Sequence, residues 1–310
     1  MTKFAMCLRG GQGKAAARWV ERSLDAGFES LGIEHPFHAV DWEAVRTMLP
    51  GKSVSSVQLF LPYPRDVKVG ERCPFKLASF HPEEKRDAAR QGTQTIVFAR
   101  RNSVPVVLVP PAPLEDAPHE DLSRLPREKV PGAALETFRA QRRKAADRAL
   151  DSLRSLLWKL LAAADRYDVR LSLTPAGRLD EIPDLEEAAG LLREFEGGPV
   201  SLWFDTWRHA PRDEEGAEAV QAWSSSWQSL THALLGATLR DKGTRGNHEI
   251  VGRGATSWES LRPLLEKSPV WLADLPSAAE PETFAEVLAF LEKLSRGPEP
   301  KREPRIRFDF

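Results

Sequence analysis

Asp205 closes the apolar run VSLWFD, and Asp241 and His248 frame the glycine-rich stretch DKGTRGNH. A carboxylate or imidazole delivered to the end of a buried strand is a usual tool of general acid–base chemistry. Asp205, Asp241 and His248 are therefore the candidate catalytic groups. Other residues at run ends suit the holding of a small molecule: Glu34 and His35, Thr174, His209 and Asp274 as polar partners, and Tyr63 and Trp207 as flat faces for a sugar ring. Five cations, Arg208, Arg240, Lys242, Arg245 and Arg253, come from the same late part of the chain and suit a phosphate or carboxylate. Of these, Arg208, Arg240 and Arg253 join the candidate ligand-binding set. Each residue alone has a plainer explanation. Loop arginines are usually solvated, and strand tryptophans such as Trp203 and Trp271 usually pack between layers. Only convergence on one rim argues for a pocket.

Such convergence needs a scaffold, and the spacing of apolar residues supplies one. Eight short runs read as strands: Lys3–Arg9, Ser30–Glu34, Val54–Leu61, Val104–Pro110, Val169–Thr174, Val200–Asp205, Leu234–Asp241 and Val270–Asp274. They are largely apolar and bounded by turn residues, as in a parallel sheet buried on both faces. Segments of helical periodicity alternate with them, for example Lys14–Ala26, Glu83–Arg101, Ala134–Tyr167, Leu185–Phe195, Ala217–Leu230, Ser257–Glu266 and Pro281–Leu294. Eight βα repeats predict a single (β/α)8 TIM barrel over residues 1–295, with sites at the C-terminal ends of its strands. An open doubly wound sheet is the alternative. The Pro-rich segment Pro110–Pro131 after the fourth strand reads as a long loop, either a wall over the mouth or a solvated insertion, and residues 296–310 as an extended C-terminal tail.

Composition removes several function classes. A net charge of −1 and the lack of a basic arm with interleaved aromatics argue against nucleic acid. No segment approaches the ~20 apolar residues of a membrane span, and the N-terminus lacks the apolar core of a signal peptide. Cys7 and Cys73 fit no metal spacing and no disulfide framework, so a cytoplasmic protein is expected, with Cys7 as a small buried hydrophobe. GGQGKAAA lacks the spacing of a phosphate-binding loop and reads as a tight turn.

Several phrases, taken in order, carry a resemblance. RDKGTRGNHEIVGRGATSW has a strand ending in Asp241, a loop carrying His248, Gly252 and Gly254 in a Gly-x-Gly, and Trp258 opening a helix. SLWFDT and LLWKLLAAADRYDVRLSLTP precede it in the expected order. The chain resembles the xylose isomerase-like TIM-barrel superfamily of sugar phosphate isomerases, epimerases and endonuclease IV-like proteins. The resemblance implies one divalent ion held by Glu, Asp, His and Glu from strands five to eight. Here those places hold Thr174, Asp205, Thr238 and either Ala273 or Asp274. A threonine hydroxyl brings no charge to a hard cation. The expectation is therefore a degenerate metal site with no resident cofactor, a weakly bound divalent metal being the alternative. In place of the metal, Asp205 is expected to face a cation, Arg208, Arg240 or His248. The function expected is binding of a sugar- or acid-like ligand, anionic if the arginines define it, or a role as a protein partner in a biosynthetic pathway. The alternative is a sugar or polyol isomerase or epimerase working by acid–base chemistry.

Overall fold

The computed structural model describes residues 2–9, 14–49, 53–64, 67, 73–115, 132–210, 217–243 and 247–297. Most of the Pro-rich loop, residues 298–310 of the tail and Arg245 lie outside them, while Arg296 ends the last helix. The strands are β1 (Lys3–Arg9), β2 (Ser30–Glu34), β3 (Ser53–Gln58), β4 (Val106–Val109), β5 (Ala112–Pro113), β6 (Arg170–Leu173), β7 (Glu181–Ile182), β8 (Val200–Asp205), β9 (Leu234–Leu239), β10 (Asp241–Lys242), β11 (His248–Glu249) and β12 (Val270–Ala273). The eight longer strands close a barrel in the order β1-β12-β9-β8-β6-β4-β3-β2, all neighbours parallel. The open-sheet alternative is thereby removed. Helices α1 (Lys14–Asp25), α2 (Ala39–Arg46), α3 (Pro82–Arg101), α4 (Gly132–Tyr167), α5 (Leu185–Glu194), α6 (Thr206–His209), α7 (Ala217–Gln228), α8 (Trp258–Leu265) and α9 (Pro281–Arg296) follow the strands. Among the described residues no helix is long and apolar enough to cross a membrane.

Alternation along each strand sorts the core into two parts. In β1, Met6 and Leu8 join the large cluster between strands and helices, whereas Ala5 and Cys7 belong to the barrel interior with Val106, Leu108, Trp203 and Leu272. Two glycines make room for the largest of these. A Cβ on Gly236 would stand 2.1 Å from the Trp203 ring, and one on Gly32 would stand 2.6 Å from Leu272 Cδ1. Trp203 and Trp271 are fully buried packing residues, one inside the barrel and one bonded through Nε1 to the Leu265 carbonyl at 3.0 Å.

The mouth has a wall on one side. β5 pairs antiparallel with β7, so residues just after β4 are tied to the loop after β6. Arg142 of α4 fixes that loop: it donates to the carbonyls of Leu179 (2.9 Å) and Glu181 (3.0 Å) and pairs with Glu187 at 2.6 Å. Pro110 and Pro111 thus present a rigid apolar surface to the cavity.

Candidate functional site

The alternation that fills the interior also dictates the rim. Two residues beyond the interior layer, on the same face, stand Glu34 after Gly32, Gln58 after Ser56, Thr174 after Ser172, Asp205 after Trp203, Arg240 after Thr238 and Asp274 after Leu272. Asp274, not Ala273, therefore faces inward; Ala273 packs outward in the main core. All of these except Asp274 line a cavity of about 690 Å³ at the C-terminal mouth. His35, Arg208 and Thr238 share its wall.

Arg240 is the centre of the charge arrangement. Its Nη2 pairs with Glu34 Oε2 at 2.5 Å, and its Nε stands 2.5 Å from Asp274 Oδ2, a charge contact without hydrogen-bond alignment. Its Nη1 is 3.7 Å from Asp205 Oδ2. Burial on its own would favour a neutral group; the Asp205, Asp274 and Glu34 carboxylates more than offset this and hold the guanidinium charged well above the ordinary arginine range. Thr206 sets its backbone: the hydroxyl accepts from the Arg240 amide at 2.7 Å and donates to the Arg240 carbonyl at 2.6 Å. Glu34 is held from below, because Trp203 Nε1 donates to Thr238 Oγ1 at 2.8 Å and Thr238 Oγ1 donates to Glu34 Oε1 at 3.3 Å. Sequence reasoning missed this chain, since nothing local ties residue 34 to residue 238.

Asp205 presents its two oxygens differently. Oδ1 caps α6 by accepting from the Trp207 amide at 2.9 Å. Oδ2 stands 3.6 Å from Arg208 Nε and 3.7 Å from Arg240, inside their field but beyond hydrogen-bond distance. Arg208 itself donates to Glu181 at 2.7 Å. Across the mouth is His35, whose Nδ1 meets the Tyr63 hydroxyl at 2.8 Å and whose amide donates to Gln58 at 3.0 Å. β2 and β8 lie four places apart in the eight-strand ring, so His35 and Asp205 approach from opposite sides.

Other candidates lie off the cavity. Asp241 is completely buried, and its carboxylate accepts from the amides of Lys242, Gly252, Gly254 and Thr256 and from Trp258 Nε1, all at 2.9–3.1 Å. With its lone pairs so filled, it ties residues 252–258 to the start of β10 and has no oxygen left to move a proton in the mouth. Gly254 is required there, since a Cβ would come within 2.3 Å of Asp241 Oδ1. His248 donates from Nε2 to the Asp274 carbonyl at 3.0 Å and meets the Trp207 ring edge-on, so both act beside the site. Tyr63 is fully buried and orients His35 instead of offering a stacking face; burial, with Cys73 nearby, raises its phenol above the ordinary range. His209 donates to the Pro175 carbonyl at 2.9 Å and sits among Phe204 and Trp227, where burial lowers it to about 4. Arg253 pairs with Glu286 at the surface. Of the five cations expected to form an anion pocket, Arg245 lies outside the described residues, and the four described ones do not converge as free charges: Arg253 pairs with Glu286, Lys242 is over the Trp207 ring, and Arg208 and Arg240 are matched by carboxylates.

The donor set does not fit the divalent ion that the resemblance implies. Thr174 and Thr238 offer neutral hydroxyls, and the carboxylates already surround a guanidinium. Cys7, Glu34 and Asp274 do bring ligand atoms within 4.8 Å of one another, a grouping missed because Cys7 reads as apolar from its neighbours. Arg240 is paired with two of those three residues.

No protein-family model and no curated protein matches the chain. Solved structures do: 3-keto-D-glucoside 4-epimerase YcjR from E. coli (TM-score 0.63, 15% identity, 94% of this chain and 99% of that one) and a D-tagatose 3-epimerase-like protein (0.64, 13%, 95% and 97%). IOLI protein with a bound zinc atom is also similar (0.56, 13%, 95% and 96%). The fold is that of the sugar epimerases and xylose isomerase-like TIM-barrel proteins.

Proposed function

We propose that the mouth binds a neutral, polyhydroxylated carbonyl compound of the ketose or aldose class and moves a proton on the carbon beside its carbonyl, as an isomerase or epimerase. The observation that carries this reading is the placement of Asp205 Oδ2 and His35 on opposite sides of one cavity, with two guanidiniums beside Asp205. The fold shared with sugar epimerases supports it. In the proposed step Asp205 takes the carbon-bound proton and the electron pair moves to the carbonyl oxygen. The guanidinium N–H groups of Arg240 and Arg208 stabilise the resulting enediolate. A proton returned from protonated His35 to the other face gives the epimer, and solvent resets both groups. Asp241 and His248 are assigned to support of the loop and of Asp274. One observation favours a second reading, binding without turnover: Thr174 leaves its strand without a base.

Charge selects among ligands. Four carboxylates, Glu34, Asp205, Asp274 and Glu181, surround the two guanidiniums, so the mouth is acidic. Like-charge opposition should cost an anionic ligand affinity. Titration calorimetry with D-tagatose or D-fructose is expected to show binding, and D-fructose 6-phosphate should bind about tenfold more weakly or worse. A phosphorylated ketose that binds more tightly than its neutral counterpart contradicts this assignment.

A further inference from the structure

Carboxylates from three separate strand ends surround one position in the barrel mouth, and carboxylate oxygens are the usual donors to a hard divalent cation. Here the point holds a side chain of the chain itself. Glu34, at the end of β2, and Asp274, just after β12, each lie 2.5 Å from the Arg240 guanidinium, and Asp205, at the end of β8, is 3.7 Å away. The Cys7 thiol lies beneath, with its ligand atom within 4.8 Å of those of Glu34 and Asp274. We propose that Arg240 is a built-in replacement for the divalent ion, so that this mouth excludes metal while keeping a fixed positive charge where one is needed.

Charge and space together keep an ion out of this position. A guanidinium stays protonated at any working pH, so no change of conditions vacates the position. A divalent ion placed among the same oxygens would stand within a few ångströms of that charge and would have to take over its carboxylates. Thr238 strengthens the case, because its hydroxyl accepts from Trp203 and donates to Glu34, orienting that carboxylate under the guanidinium. Thr206 fixes the Arg240 backbone from both sides of the peptide. The arginine is therefore held as firmly as the carboxylates it serves. The inference concerns the same mouth as the proposed ketose site, but its readout is metal affinity and needs no sugar. A failure here leaves the ligand titration standing, and the reverse also holds.

The test is a gain of function. Purified wild-type protein, dialysed against chelator, is titrated with Mn²⁺ and with Zn²⁺ while its melting temperature is followed. The expected result is no saturable shift for either ion. Arg240→Ala leaves the three carboxylates without their central cation, so this variant should melt lower without metal. Its Tm should recover by several degrees once Zn²⁺ or Mn²⁺ reaches about a hundredfold excess over Kd. Adding Glu34→Gln to Arg240→Ala should weaken that binding by about tenfold or more. Arg240→Gln, which fills more of the space, serves as the second variant and should gain the ion in the same way. The proposal is overturned if wild type binds one equivalent of either metal and Asp205→Asn abolishes that binding. It is equally overturned if a folded Arg240 variant gains no affinity. If neither variant folds with or without metal, no ion can stand in for the guanidinium, and the replacement account fails.

Discussion

Asp241→Ala is expected to lower stability by about 4 kcal/mol, and Tm by roughly 10 °C. The carboxylate is fully buried and is the shared acceptor for four backbone amides and the Trp258 indole. Removing it leaves several donors without a partner in a site water does not reach, and each such loss costs about 1–3 kcal/mol before relaxation. Asp241→Asn should recover little, because its NH2 group would point a donor at other donors. The loop also carries His248, which holds the Asp274 carbonyl, so ligand binding should fall together with stability. Chemical denaturation of both variants checks this. A variant that loses turnover at unchanged stability would return Asp241 to the catalytic list.

The second large effect is expected at a position with no side chain. Gly236→Ala places a methyl group 2.1 Å from Cζ3, 2.2 Å from Cη2 and 2.7 Å from Cε3 of Trp203. That ring is fully buried and anchored by its bond to Thr238, so it cannot swing away cheaply. Overpacking of this kind costs about 3 kcal/mol. If Trp203 shifts instead, Thr238 and then Glu34 follow, and the mouth is disturbed. A double-mutant cycle separates the clash from other effects. Trp203→Leu alone should cost a few kcal/mol through the space it leaves. Gly236→Ala combined with Trp203→Leu should be less harmful than the sum of the two by about 1 kcal/mol or more. Strict additivity would show that the two residues do not meet as described.

The barrel was legible because each strand is a short apolar run and period-2 alternation does the rest. Four strands, Lys3–Arg9, Ser30–Glu34, Val200–Asp205 and, apart from its last residue, Val270–Asp274, match the expected runs; the others are trimmed at their ends, except that β3 starts one residue early, at Ser53. Leu234–Asp241 is the instructive case. Its strand stops at Leu239, and Asp241 begins the small β10–β11 hairpin, antiparallel and outside the barrel. Reading Asp241 as a strand-end acid therefore mistook a loop anchor for a mouth residue. α2 was overlooked since AVDWEAVR is short and mixes polar with apolar positions, and α6 since TWRH is a single turn.

The site divides along the same line. Glu34, Thr174, Asp205, Arg240 and Asp274 occupy inward positions that alternation fixes once the strand register is known. Asp205 between Arg208 and Arg240 follows from the cost of leaving a buried carboxylate uncompensated. What local sequence could not give was the partnership across the barrel: Glu34 with Arg240, Trp203 with Thr238 and Arg208 with Glu181 join residues distant in the chain. Those pairings turn the described loop cations Arg208 and Arg240 into matched ion pairs, which is why the proposed ligand is a neutral one.

Solvent exchange tests the central claim most directly. D-tagatose or D-fructose is incubated with the protein in D2O and a chelator, and the proton signal on the carbon beside the carbonyl is followed by NMR. Proton transfer by Asp205 under a guanidinium predicts protein-dependent loss of that signal, unchanged by the chelator and abolished in Asp205→Asn. No exchange with a ketose that demonstrably binds, or exchange only after a divalent metal is added, would contradict it.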